Sequence, residues 1–273
     1  LNRVSGESKV AEHLKNGDGG FFILLDVDHF KFFNDTYGHG VGDQVIINVA
    51  NALKAAFREH DIVFRLGGDE FAAYAVKTNT KKIANQIIKR FIGIIWKLIN
   101  YISAMWWGVE LGKNCHFIGK THFERLQEGT ITIGSNCTFN STHTSNLAGL
   151  FCPCIISTAK KKARIAVGKG CGFSGTRVRA GQSITIGNNV RCGANSYITD
   201  TDAHSDDYRA GKDRPVVIED NVWLGMNVVV LKGVHIGKNS LIGANSVVTR
   251  DIPANVIAVG NPCRVIKQLE EKI

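Results

Sequence analysis

The chain has 273 residues, 44% of them apolar, with only 4 prolines against 29 glycines. That is enough apolar material for a buried core, which excludes a disordered chain, and enough length for one large or two ordinary domains. The net charge is +9, but residues 1–92 carry +1 and the remainder +8. A basic second part suits an anionic small ligand or an anionic surface, while no stacking platform or reader motif marks a nucleic-acid partner. The 7 cysteines are odd in number and match no disulfide framework, and Cys152-Pro-Cys154 is too short for a CxxC pair. With no secretory leader apparent, a reducing, cytoplasmic setting is expected.

The first part alternates helix and strand. "VAEHLKNG" ends a helix at a glycine, and "GFFILLDVD" is a buried apolar strand running into acids. "DQVIINVANALKAAFRE" has helical period, with Val45, Val49 and Leu53 on one face. "DIVFRL", a Gly-Gly turn and "EFAAYAV" form a hairpin, and "TKKIANQIIKRF" is a further helix. Residues 93–108 are expected to link or cap. The stretch 91–107 is apolar and aromatic but short of a membrane span, and Lys97 interrupts it. One reading makes it a helix capping the domain that follows. The other makes it an interfacial helix in peripheral membrane contact, flanked by Lys89 and Arg90.

From residue 109 the period becomes six. Ile218, Leu224, Val230, Ile236, Ile242 and Val248 are apolar in strict register, and Val222, Val228, Val234, Ser240 and Ser246 follow at small corner positions. Neither a helix nor a plain strand has this period. A parallel β-helix of triangular section does, with six residues per side. Cys115, Cys137, Cys171 and Cys192 fall on hexad or corner positions, where a small buried side chain packs. The register breaks at "TDTDAHSDDYRAGKDRP", which contains His204. A loop thrown out of a β-helix is where function tends to reside.

The motifs "ITIGNNVRCGANSYITDTDAH", "VVIEDNVWLGMNVVVLKGVHIGKNSLIGANSVVTRDIP" and "AVGNPCRVIK" resemble the hexapeptide-repeat acyltransferases, within them the maltose, galactoside and polysaccharide O-acetyltransferases. The resemblance covers about residues 95–273. It implies a left-handed β-helix, a homotrimer with sites between subunits, acetyl-CoA as cosubstrate and a carbohydrate acceptor. It implies His204, in a polysaccharide-type D-x-D-x-H segment, as general base, with Asp202 or Asp200 to orient it. It implies a CoA path along Trp223, Ala244, Thr249, Arg250, Arg264 and Lys267, and Ser174 as the acceptor-binding candidate. Met226 departs from the small residue common in the sugar acetyltransferases.

The front part resembles the GGDEF diguanylate cyclase domain, through "LLDVDHFKFFNDTYGHGVGDQ", "REHD" and "LGGDEF". Asp26 and Asp28 lie at a strand end and Asp69 and Glu70 on a turn, hard oxygen ligands of the kind that bind Mg²⁺; the resemblance implies that Asp26, the Val27 carbonyl and Asp69 or Glu70 hold it if the segment is active. It also implies nucleotide contacts at Lys31, Asn34 and Asp43, and an inhibitory product site at Arg58 and Asp61. The match stops near residue 92, before the later strands of that domain. The expected architecture is therefore an α/β fragment, an incomplete GGDEF-like domain over 1–92, then a linking or capping helix over 93–108. A left-handed parallel β-helix of hexapeptide repeats follows over 109–273. The function expected is O-acetyl transfer; the alternative is a diguanylate cyclase or cyclic di-GMP-binding protein.

Overall fold

The computed structural model describes residues 1–27, 30–77, 81–204 and 206–270, with the backbone alone at 32, 33, 36, 37, 41, 81–88, 90 and 91. It divides into two compact units, Leu1–Leu98 and Ile99–Ile273.

In the first unit, α1 (Arg3–Lys15) starts at Asn2, whose side chain accepts the Ser5 N–H at 3.0 Å, a standard N-cap. Then come β1 (Gly20–Asp26), α2 (Phe30–Tyr37), α3 (His39–Ala56), β2 (Ile62–Gly67), β3 (Glu70–Val76) and α4 (Lys81–Trp106), whose last residues, from Ile99, belong to the second unit. The three strands form an antiparallel sheet in the order β1-β3-β2. Strand alternation divides β3 between two cores. Phe71, Ala73 and Ala75 meet Val45, Val49 and Leu53 of α3, while Ala72, Tyr74 and Val76 share the other face with Ile62, Phe64 and Val10. Gly6 is required where α1 crosses the sheet, because a Cβ there would lie 2.1 Å from the Phe64 ring. On β1, Phe22 and Leu24 remain 46% and 66% exposed, at a sheet edge with no further strand among the described residues.

The second unit is a parallel β-helix of three sheets, each built from successive coils. The six apolar hexad residues, Ile218 through Val248, are wholly buried, one per strand, and the corner residues Val222, Val228, Val234, Ser240 and Ser246 are buried with them. The residue before each of these last corners makes the turn. Asn221, Asn227, Asn239 and Asn245 have φ between 56° and 61°, the left-handed region that asparagine tolerates better than other side chains. Their amides stack into ladders, Asn189 to Asn221 to Asn239 to Asn255 at 3.3, 3.1 and 2.8 Å. Inside the early coils Phe117, Phe139 and Phe173 stack with ring centroids 5.0 Å apart. The four hexad or corner cysteines are buried as packing residues, and Cys115, Cys137 and Cys171 each direct their thiol to a glycine carbonyl of the next coil.

The sequence reading separated a helix ending near residue 92 from a capping segment; the structure has one continuous helix, α4, because apolar residues recur at helical spacing through the whole stretch. Its last turns close the first coil. Asn100 is fully buried, donates to the Gly119 carbonyl at 3.0 Å and accepts the Thr121 N–H at 2.7 Å. The Tyr101 hydroxyl donates to the Gly112 carbonyl at 2.8 Å. At the other end, Arg264–Gln268 pairs antiparallel with Val256–Val259 and covers the last coil's edge. The coils are interrupted twice, between Asn140 and Ile155 and between Thr199 and Val216.

Candidate active site on the interrupted coil

His204 lies in the second interruption, and the backbone there is built to project it. Asp202, Ala203 and His204 make a three-residue turn closed by the His204 N–H to the Asp202 carbonyl at 2.9 Å. Ala203 at its centre has φ 68°, a conformation costing a non-glycine residue about 1–2 kcal/mol. Strain of this kind persists only where the surroundings hold it. The Thr201 hydroxyl accepts the Ala203 N–H at 3.2 Å. The His204 ring is exposed and makes no hydrogen bond among the described residues.

The acids expected to orient this ring brace the loop instead. Asp200 is fully buried, and its carboxylate accepts the Gly181 and Gln182 N–H groups at 2.5 and 2.8 Å. Burial pushes its pKa up, against those N–H donors. Asp202 accepts the Gly211 N–H at 3.0 Å and is paired with Lys232. The hydrogen bond from Lys232 holds Asp202 below the usual carboxylate range. On the far side of the loop Asp213 meets Lys160 at 2.7 Å. Burial pushes Asp213 up, but Lys160 and the Thr201 hydroxyl together hold it below its ordinary value. Both loop ends are thus tied to neighbouring coils. The result is a cleft of about 230 Å³ lined by His204, Thr201, Asp202, Lys160, Gly211 and Lys212.

The candidate CoA residues lie on later coils. Trp223 is half exposed beside a groove of about 440 Å³ that also takes in Arg191 and Asn221. Strand register puts Arg191, Trp223, Leu241, Ile257 and Lys267 in one row across adjacent strands. Ala244, Thr249, Arg250 and Arg264 are exposed, the first three at coil corners. Gly225 is needed beside Ala244, whose backbone nitrogen would sit 2.6 Å from a Cβ there. Ser174 is nearly buried, accepts from the Asn140 amide at 3.1 Å and does not line the His204 cleft.

In the first unit, Asp26 stands opposite Glu70 in the sheet, with Asp69 in the adjoining turn. The Val27 carbonyl accepts the Phe30 N–H at 3.1 Å. Asp28 lies outside the described residues, and among those described no group of three or more His, Cys, Asp or Glu is arranged to hold a metal ion. Lys31 and Asp43 are exposed, and the Asn34 amide fills the space that Gly42 leaves. Arg58 and Asp61 bind each other, at 2.9 Å, and the end of β3: Asp61 accepts the Val76 N–H at 3.1 Å and Arg58 donates to the Val76 carbonyl at 3.0 Å. The Arg58 pair is therefore a structural clasp in this chain.

Comparison with known proteins agrees with this division. The family described as "Diguanylate cyclase, GGDEF domain" matches residues 1–102. That described as "Bacterial transferase hexapeptide (six repeats)" matches residues 215–250. The galactoside O-acetyltransferase of Lactococcus lactis is 40% identical over 153 residues, 54% of this chain and 68% of that protein. The galactoside O-acetyltransferase of Escherichia coli is 44% identical over 94 residues, 33% of this chain and 46% of that protein, so less than half of its length is spanned. A solved GGDEF domain from Pseudomonas aeruginosa aligns at 31% identity over 35% of this chain and 62% of that one, with a TM-score of 0.33. The six-residue coil, the interrupted loop with its histidine and the extent of the Lactococcus match lead to one conclusion: the chain belongs to the hexapeptide-repeat acetyltransferase family, of which the galactoside O-acetyltransferases are members, and carries a GGDEF-type segment in front.

Proposed function

We propose that the second unit moves an acetyl group from acetyl-CoA directly to a carbohydrate hydroxyl, with His204 as general base. The observation that carries the reading is the placement of His204: a ring with no hydrogen-bond partner among the described residues, projected by a strained turn from a braced loop into a cleft. An imidazole exchanges protons in the neutral range. It takes the acceptor hydroxyl's proton as that oxygen forms its bond to the thioester carbonyl carbon. When the carbon–sulfur bond breaks, the imidazolium returns the proton to the departing CoA thiolate. No nucleophilic cysteine is needed. Trp223 would wall the thioester arm, with Ala244 and Thr249 at its corners, and Arg250, Arg264 and Lys267 would meet the phosphates.

A cleft of about 230 Å³ is small for a donor and a sugar together. This favours a homotrimer in which a neighbouring subunit completes the site. Peripheral membrane contact through 91–107 belongs to the same reading, since Met105 and Trp106 stand 74% and 68% exposed at the end of α4. Among the described residues no helix is long and apolar enough to cross a membrane. Cyclic di-GMP binding at Arg58 and Asp61 is the weaker reading, because the two are engaged with each other and with Val76. The test is acceptor-dependent thiol release from acetyl-CoA, with the acetylated sugar identified as product. No release with any acceptor would defeat the proposal.

A further inference from the structure

The cleft opens onto a basic surface that the acetyl-transfer chemistry leaves unused. The corner after Ile155–Thr158 reads Lys160, Lys161, Lys162, and Arg164 begins the next strand. One coil on, Arg177–Ala180 pairs with Tyr197–Thr199, which places Arg179 directly beside Thr199, where the His204 loop departs. The loop returns over this corner: Asp213 reaches Lys160, and the Gly181 backbone leaves room for Asp213 and Thr201, whose atoms would lie 2.6 and 2.8 Å from a Cβ. Lys212 is on the loop itself and lines the cleft.

The charges here do not balance. Asp202, Asp207, Asp213 and Glu128 are each held by a cation, on Lys232, Arg209, Lys160 and Lys162, and Asp200 is buried against backbone N–H groups. Lys161, Arg164, Arg179 and Lys212 are exposed, with no ion-pair partner among the described residues, against Asp206 on the loop and Glu124, two strands from Arg179 in the same row, on the acidic side. Lys161, Arg164 and Arg179 sit on the coils before the His204 loop, and Lys212 on the loop itself. The candidate CoA residues sit on the coils after it, so the CoA phosphates do not account for them.

We infer that the acceptor is an anionic saccharide, one whose sugar units carry carboxylates, steered along this basic strip so that a hydroxyl reaches His204. The inference deepens the acetyl-transfer reading and rests on it. The physical basis is electrostatic: a strip with an excess of one sign beside a cleft concentrates counter-charged substrate, and does so less as salt rises.

The test is a binding measurement on the full chain carrying His204→Ala, so that no turnover intervenes. The probes are tetragalacturonate and its carboxyl-reduced counterpart, in which each carboxylate is replaced by a neutral hydroxymethyl group. Each exposed pairing is worth a factor of about 1.4 to 5, so the charged form is expected to bind on the order of tenfold tighter at low salt. That preference should shrink with added salt and vanish in Lys161→Glu/Arg179→Glu, while acetyl-CoA affinity and oligomer size stay unchanged. If the reversal variant does not fold, Lys161→Gln/Arg179→Gln should give a partial loss. Equal binding of the two sugars, binding of neither, a preference that survives the substitutions, a changed oligomer size, or equally tight binding of a single-stranded oligonucleotide would each overturn the inference. Thiol release that persists in His204→Ala would count against the base assignment and leave this result standing.

Discussion

The seal between α4 and the first coil offers a sharp test of how the β-helix begins. Asn100 is completely buried, donates to the Gly119 carbonyl at 3.0 Å and accepts the Thr121 N–H at 2.7 Å. Asn100→Ala leaves a carbonyl and an N–H without partners in a site that water does not reach. Each orphaned group costs about 1–3 kcal/mol, so the loss is about 2–6 kcal/mol. For a unit of this size, 1 kcal/mol moves the midpoint by about 2–4 °C, which gives a fall of ~4–24 °C. Asn100→Leu keeps the volume but not the bonds and is expected to fall equally. Met105→Ala, at an exposed position of the same helix, should stay within about 0.5 kcal/mol. The assay is thermal unfolding followed by tryptophan fluorescence. An Asn100→Ala midpoint indistinguishable from wild type would refute the claim that this helix closes the coil.

Other perturbations follow from the same geometry. Ile236→Ala, at a wholly buried hexad position, should cost about 2–5 kcal/mol in the same unfolding assay. Ala203→Val puts a β-branched residue at φ 68° and should lower thiol release more than it lowers stability, because it displaces His204; full activity would argue against the turn's role. The loop should also loosen in acid. Asp202 and Asp213 have pKa values below their reference of 3.8, so their contribution is present above that value and is lost as pH falls through the folded values. Hydrogen exchange across 200–214 should rise there, and Lys160→Met should remove the Asp213 part of the effect.

The hexads could be read from sequence because each buried residue repeats at a fixed local interval. The register from Ile218 to Val248, the buried cysteines and the interruption at His204 all follow from that interval alone. The corner asparagines were equally open to inspection: Asn precedes Val or Ser at 221, 227, 239 and 245. Their role does not show in the six-residue period, which marks the small inward residue and not the one that turns the chain. What sequence did not convey is non-local. Asp202 finds Lys232 thirty residues away, and Asp200 finds Gly181 on the preceding coil, so both acids look available to His204 until the coils are stacked. Arg58 and Asp61 form a ligand motif in sequence, yet their partner is Val76 across the hairpin. Ala203 carries no sequence mark of its positive φ, and α2 lay hidden within the motif expected to bind metal and nucleotide.

The account stands most directly on a comparison of wild type with His204→Ala: thiol release from acetyl-CoA at saturating acceptor, and acetyl-CoA affinity, measured side by side. Removal of the base should cost about 10²–10⁴-fold in turnover, with acetyl-CoA bound as tightly as before. Undiminished turnover in the variant would contradict the central claim.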